Sequence, residues 1–568
     1  MKTSFFCFSF VLGICGSAAA EVWVPALFGD GMILQQEAAN AIWGWAEPGE
    51  KVTVTGSWGS EGMGTANEDG KWRVILETPS YGTGHSLKIE GENVIEIGEV
   101  AIGEVWLCAG QSNMGWALGN CFGGEEEAAT ANYPDYRIYD SSREHWHEPL
   151  EEQRDRLVKW VPCTPESAAT TSAVSYYFGK KLHEELGVPV GIIVQAFAGT
   201  PIEGWMPWEI QLDDERAQAA KASLDENARR QMEKQGKTEE KALAEFEAAL
   251  AEYNDLIDAG ETMKNKVKPL APPIITQPAH LGHQYPAHIF NGMIHPVRPY
   301  GIRGMIWYQG ERNSKDVPQA AHYREQLAKL IGYYRQSWHE LSEGGTDDAF
   351  PVFFTQLPSW GAPQAEPVEG LEAPWAVNRE SMLRVTEDVP NTGMAVSIDT
   401  GDAIQLHPKN KAPIGIRHAY LALKQVYGED VVDYGPRYRG HELEDGKVVL
   451  EFDSVGSGLV AAREGEVLDA FAVAGEDEEW HWAEAVIDGD AVVVSSGDVA
   501  EPVAVRYAWA MNPSERNLLY NREGLPASPF RTDNWDLFDP SGEIVEVVKP
   551  AKPEGYEDVD WERPEMTQ

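Results

Sequence analysis

Residues 104–111 read EVWLCAGQ and give way to Ser112-Asn113-Met114, so an apolar run ends abruptly on a small polar turn. Four later runs share its texture: VPVGIIVQAFAG (188–199), GIRGMIWYQG (301–310), PVFFTQLP (351–358) and GMAVSIDTG (393–401). A strand covered on one face alternates apolar with polar residues. A near-continuous apolar run belongs to a parallel strand covered on both faces. Amphipathic stretches lie between or after these runs: SAVSYYFGKKLHEELG (172–187), AHYREQLAKLIGYYRQSW (321–338) and IGIRHAYLALKQVYG (414–428). Strand and helix signals alternating from Gly103 to Gly428 predict an α/β fold on an open, doubly wound parallel sheet.

Both flanks read differently. From Glu21 to Ile102, runs such as NAIWGWAEPGEKVTVTGSW and GKWRVILETP alternate between Gly and Pro turns and predict a β-sandwich-type module. Similar signals, GKVVLEFDSV and EPVAVRYAWAM, predict a second β module over 429–548. Residues 211–262 are rich in Ala, Glu and Lys and read as an inserted helical arm, a solvated pair without chemistry of its own. Residues 549–568 are polar and read as a loose tail. Residues 1–20 have the basic start, short apolar run and Ala-Ala-Ala end of a secretory signal, so the expected destination is the periplasm or the exterior. No later stretch is long and apolar enough to span a bilayer.

The chain of 568 residues carries 46 Lys+Arg against 91 Asp+Glu, a formal net charge of −45 that repels phosphate backbones and excludes a nucleic-acid partner. Twenty tryptophans are compatible with sugar stacking, although core packing is their commoner use. Cys7 and Cys15 fall in the signal, leaving Cys108, Cys121 and Cys163; a Cys121–Cys163 pair is conceivable, and Cys108 belongs to a buried strand. His280, His283 and His288 lack zinc-site spacing, and no phosphate-binding glycine motif occurs, so neither metal nor cofactor is expected.

Ligands of open α/β sheets bind beyond the carboxyl ends of the strands. There this sequence places Ser112, then Gly199-Thr200, then Gln309-Gly310-Glu311, then Gln356, and finally Asp399, Asp402 and His407. A serine, a glycine turn, a side-chain amide and a histidine are the inventory for acyl transfer: nucleophile, oxyanion donors and base.

The blocks GEVWLCAGQSNMGW, AFAGTPIEGW, NGMIHPVRPYGIRGMIWYQGERN and DTGDAIQLHPKNK resemble, in order, the sialate O-acetylesterase family of SGNH-type hydrolases. The likeness extends to LFGDGMILQQ near the start and to VRYAWAMNPSERNLLYNREGLPASPFRTDNW near the end, leaving out 211–262 and the tail. It implies an SGNH/flavodoxin-like core and a serine esterase acting on O-acetylated carbohydrate. Residue by residue, it implies Ser112 as nucleophile, His407 as base, and the Ser112 N–H, Gly199 and Gln309 as the oxyanion hole. Glu311 is read as supporting Gln309 or as a structural acid. Family members often carry an acid two places before the histidine, where this chain has Gln405. Either a Ser–His dyad suffices, or Asp399 or Asp402 reaches the imidazole, with Asp402 preferred. Sialic acid is an anion and needs a cation, for which Arg298, Arg303, Arg312 and Arg417 are candidates. An acetylated neutral polysaccharide such as acetylxylan is the rival substrate, and an inactive carbohydrate-binding protein the rival of another class. The oligomeric state is left open.

Overall fold

The computed structural model describes residues 21–550 except 142, 154–157, 239, 250, 252–281 and 464–466. The expected signal, His280, the end of the helical arm and most of the tail lie outside the described residues. Six parallel strands form the central sheet: β1 (Val94–Gly110), β2 (Tyr133–Asp140), β3 (Val190–Ala196), β4 (Gly304–Tyr308), β5 (Val352–Thr355) and β6 (Thr392–Ala395), in spatial order β6-β5-β4-β1-β3-β2. Alternate side chains of β1 enter two separate cores. Val105, Leu107 and Ala109 join one, and Trp106 and Cys108 join the other. Burial on both sides is why the strand reads as a continuous apolar run.

Helices cover both faces. Ala173–Leu186 and Ala412–Gln425 pack on the side of Trp106, and Val317–Leu341 and Pro374–Asp388 on the side of Leu107. Local chemistry sets their ends. The Ser172 and Asp316 side chains accept from the Ser175 and Gln319 N–H groups at 3.2 and 2.8 Å, and Gly187 closes its helix at φ +65°. The five expected strands all form. Among the elements that escape the sequence pattern are Pro374–Asp388 and the strand YPDYRIYD, whose Arg137 is buried and donates to the carbonyls of Gly31 and Glu99.

The N-terminal antiparallel sheet is continuous with this frame, and the C-terminal antiparallel sheets are separate from it. β1 pairs with Gly82–Glu90 over its first half and with β3 and β4 over its second, so the expected division at 102/103 falls inside one unbroken strand. Toward the C-terminus, Arg437–Glu444, Lys447–Asp453, Ala491–Ser495 and Glu484–Asp488 make a four-stranded antiparallel sheet. That module is fastened by Arg379, which is fully buried and donates to the carbonyls of Leu357, Pro358, Ala510 and Met511 at 2.7–2.9 Å. Five tryptophans, Trp106, Trp205, Trp307, Trp338 and Trp375, are fully buried, so much of the tryptophan load is core. Cys108, Cys121 and Cys163 are all free thiols, which corrects the conceivable Cys121–Cys163 pair; the Cys121 thiol donates to Ala117 O instead. Among the described residues no helix is long and apolar enough to cross a membrane.

Replacing Arg379 by Met removes the donor shared by four buried carbonyls. The expected loss is about 3–5 kcal/mol, read as a lowered thermal unfolding midpoint.

Candidate active site

The parallel register fixes the level at which the site forms. Gly110 of β1 lies opposite Ala196 of β3 and Tyr308 of β4, so the chain leaves three neighbouring strands at one height. Two residues beyond Gly110 stands Ser112; three beyond Ala196, Gly199; one beyond Tyr308, Gln309. The order reverses here, β3 lying on one side of β1 and β4 on the other, which opens a crevice at the carboxyl edge.

Ser112 and His407 meet in that crevice. The Oγ and Nε2 atoms are 2.8 Å apart, and both residues are half-buried. The indole of Trp116 lies parallel to the imidazole, with ring centres 5.1 Å apart and planes inclined by 13°. Burial, and secondarily the Lys411 ammonium, press the His407 pKa down to about 4, so the ring is a neutral base over most of the pH range. Among the described residues, the N–H groups of Ser112 and Gly199 donate to no protein acceptor. Gly199 sits at φ +72°, a turn that aims its amide out of the strand end and that a side chain would strain.

Gln309 is placed differently from its expected role. Its amide N–H bonds go to Asn313 Oδ1 at 2.8 Å and to Thr200 O at 3.2 Å, while its Oε1 accepts from Tyr323 at 2.7 Å. With both protons engaged, the amide braces the Gly199-Thr200 turn from behind rather than facing the crevice. Asn313 extends the brace: it accepts from the Ile202 N–H and donates to Glu203, and Gln326 links Glu203 to Asp214. Asp214 caps the helix Glu215–Lys234. The arm read as chemically silent is therefore rooted in the network under the site.

The acids are also redistributed. Asp402 Oδ1 accepts from the N–H groups of Ile404 and Gln405, both at 2.7 Å, and so shapes the loop that carries His407 instead of meeting the imidazole. Asp399 is held bidentately by Arg417 at 2.7 Å and by the Tyr520 hydroxyl. Glu311 receives the Asn113 amide, not Gln309, and burial raises its pKa. Asn113 and Lys411 escaped the sequence reading although both lie within the quoted motifs; Lys411 donates to Asn113 Oδ1.

Of the four candidate cations, Arg303 pairs with buried Glu104 and Arg417 with Asp399. Arg298 is buried over the Phe290 ring. Arg312 alone of the four is half-exposed without an ion pair among the described residues; it donates to Gln284 Oε1 at 2.8 Å. Its charge also reaches His283, whose pKa is lowered by burial and then by Arg312. The His283 ring stacks on Phe197, beside the Gly199 turn.

A family model described as carbohydrate esterase, sialic acid-specific acetylesterase, matches residues 102–259 and 281–419. The chain belongs to that family. The esterase is 27% identical to mouse sialate O-acetylesterase over 533 residues, covering 88% of this chain and 92% of the mouse protein. To human sialate O-acetylesterase it is 26% identical over 532 residues, covering 88% and 90%. A solved carbohydrate acetylesterase from Xanthomonas citri is similar in structure, with a TM-score of 0.73 and 32% identity, covering 91% of this chain and all of that one. The matched segment includes 211–259, so most of the helical arm expected over 211–262 lies within the family's own extent.

The Asp402 bonds give a sharp expectation for the esterase. Asn can accept the same two backbone N–H bonds, so Asp402→Asn should retain most of kcat, whereas Asp402→Ala should lose about 10–100-fold. An acid that stabilised the imidazolium directly would cost about 10⁴-fold as Asn. Steady-state kinetics of the two variants distinguish the roles.

Proposed function

We propose that this chain is an exported sialate O-acetylesterase that works through a Ser112/His407 acyl-enzyme. The observation that carries the reading is the 2.8 Å Ser112–His407 bond beside two uncommitted backbone N–H groups. His407 Nε2 takes the Ser112 hydroxyl proton as Oγ attacks the acetyl carbonyl carbon. The oxyanion that forms is received by the N–H groups of Ser112 and Gly199, each such donor being worth about 10²–10³-fold. The intermediate collapses by breaking the bond to the sugar oxygen, which takes its proton from the imidazolium. Water then adds to the acetyl-serine with His407 as base, and acetate leaves as Ser112 recovers its proton. Gln309 supports the hole from behind Gly199, and Asp402 supports the base through its loop.

Sialate specificity is supported by Arg312, the cation left over beside the Gly199 turn, which can meet the substrate carboxylate bidentately. A second reading, an ester of neutral polysaccharide such as acetylxylan, is favoured by the net charge of −45, which repels an anionic sugar. The intact Ser–His bond weighs against an inactive binding protein.

Acetate release by residues 21–568 from 9-O-acetylated sialic acid and from acetylxylan tests the reading. Ser112→Ala should lower kcat by about 10⁴–10⁶-fold. Arg312→Ala should raise KM for the sialate ester about tenfold or more and leave acetylxylan unaffected. Equal rates on both substrates in the parent and the Arg312 variant would reject the carboxylate assignment.

A further inference from the structure

The buried charge beneath the nucleophile is not explained by folding. Lys411 has no solvent exposure; its Nζ donates to Asn113 Oδ1 and lies 5.2 Å from the centre of the Tyr308 ring. Among the described residues no carboxylate forms an ion pair with it. An ammonium taken out of water loses far more hydration than a hydrogen bond to a neutral amide returns. An apolar side chain of equal length would suit this core better.

What the ammonium does hold is a junction. Asn113, next in sequence to Ser112 and fully buried, donates from Nδ2 to Glu311 Oε1 and, at 3.2 Å, to the carbonyl of Leu406. One amide thereby ties the nucleophile turn to the turn after β4 and to the residue preceding His407. Its orientation is fixed from both ends: only the oxygen can face the Lys411 ammonium, and only the amide N–H groups can face the Glu311 carboxylate and the Leu406 carbonyl.

We propose that Lys411 is a positioning residue for acyl transfer, its ammonium locking the Asn113 amide so that Ser112 and His407 stay in attack geometry. This rests on the Ser112/His407 reading above. The titratable groups facing Lys411 are Glu311 from the turn after β4, Tyr308 from β4, Cys121 from the turn beyond Ser112, and His407 from its own loop. Burial brings Lys411 down to about 7 against the opposing pull of Cys121 and Glu311. Burial and the Lys411 charge together hold His407 at about 4. The base must be neutral and the lysine charged. Activity therefore rises with pH through the His407 titration and falls again as Lys411 loses its proton.

The test is the profile of kcat/KM from about pH 3 to about pH 9 for the parent, Ser112→Ala, Lys411→Met and Lys411→Arg. Lys411→Met should unfold at the same or a higher temperature, lose about tenfold or more in kcat with KM within about twofold, and move its acid limb to higher pH while losing the alkaline limb. Lys411→Arg, charged throughout, should remain active above the parent's alkaline limb. A Lys411→Met variant with unchanged kcat and an unchanged acid limb overturns the proposal. If that variant does not fold, the parent decides, since a flat profile from about pH 6 to about pH 9 is incompatible with it. A parent that neither releases acetate nor reacts with a fluorophosphonate overturns the Ser112 reading and this proposal with it. A parent that reacts, matched by Lys411→Met, overturns the Lys411 role alone.

Discussion

The parallel register on either side of β1 is the constraint from which the site follows. Gly110 stands between Ala196 and Tyr308, and a side chain there would come within 2.2 Å of the Tyr308 carbonyl. The strands can close to ladder distance at this level because the residue has no Cβ. Once they do, the next few residues of three chain segments leave the sheet together, and their amides and side chains have nowhere to go but the same crevice.

Polarity is then divided by depth. Ser112, Gly199 and His407 stand at the half-buried rim, while Gln309, Asn313, Thr200, Asn113 and Lys411 are fully buried behind it. The rim groups keep bonds available for a substrate. The buried ones make their bonds to each other and to buried neighbours, and such networks are rigid because any rotation breaks a bond in a low-dielectric interior. The Ser112 and Gly199 N–H groups are thus held in place by a pre-formed network, the condition under which backbone donors stabilise a developing negative charge most effectively.

The sheet was legible in the sequence where burial on both faces leaves no alternation to misread. It was not legible in Tyr133–Asp140, where Asp135 and Arg137 interrupt the apolar pattern of a strand whose arginine is satisfied by the carbonyls of Gly31 and Glu99, distant in sequence. Ser112 and His407 stood out because the motifs place them directly after an apolar run and in a polar loop. The supporting residues did not. Sequence cannot tell whether Asp402 faces a ring or its own backbone, nor that both protons of Gln309 are engaged, because these depend on where loops distant in sequence come to lie. Lys411 looks like any solvated lysine in a polar segment; only the fold puts it under Tyr308 and behind Asn113.

The seventeen-residue strand Val94–Gly110 starts in one antiparallel sheet and ends two residues short of Ser112. No linker separates the N-terminal module from the central sheet, so the module has no freedom to swing on a tether as an accessory domain would. It is a cantilever support: the serine sits near the free end of a beam whose other end is clamped in β structure. Exchange of that module between related enzymes would have to splice within a hydrogen-bonded strand, which makes the two parts a single heritable unit.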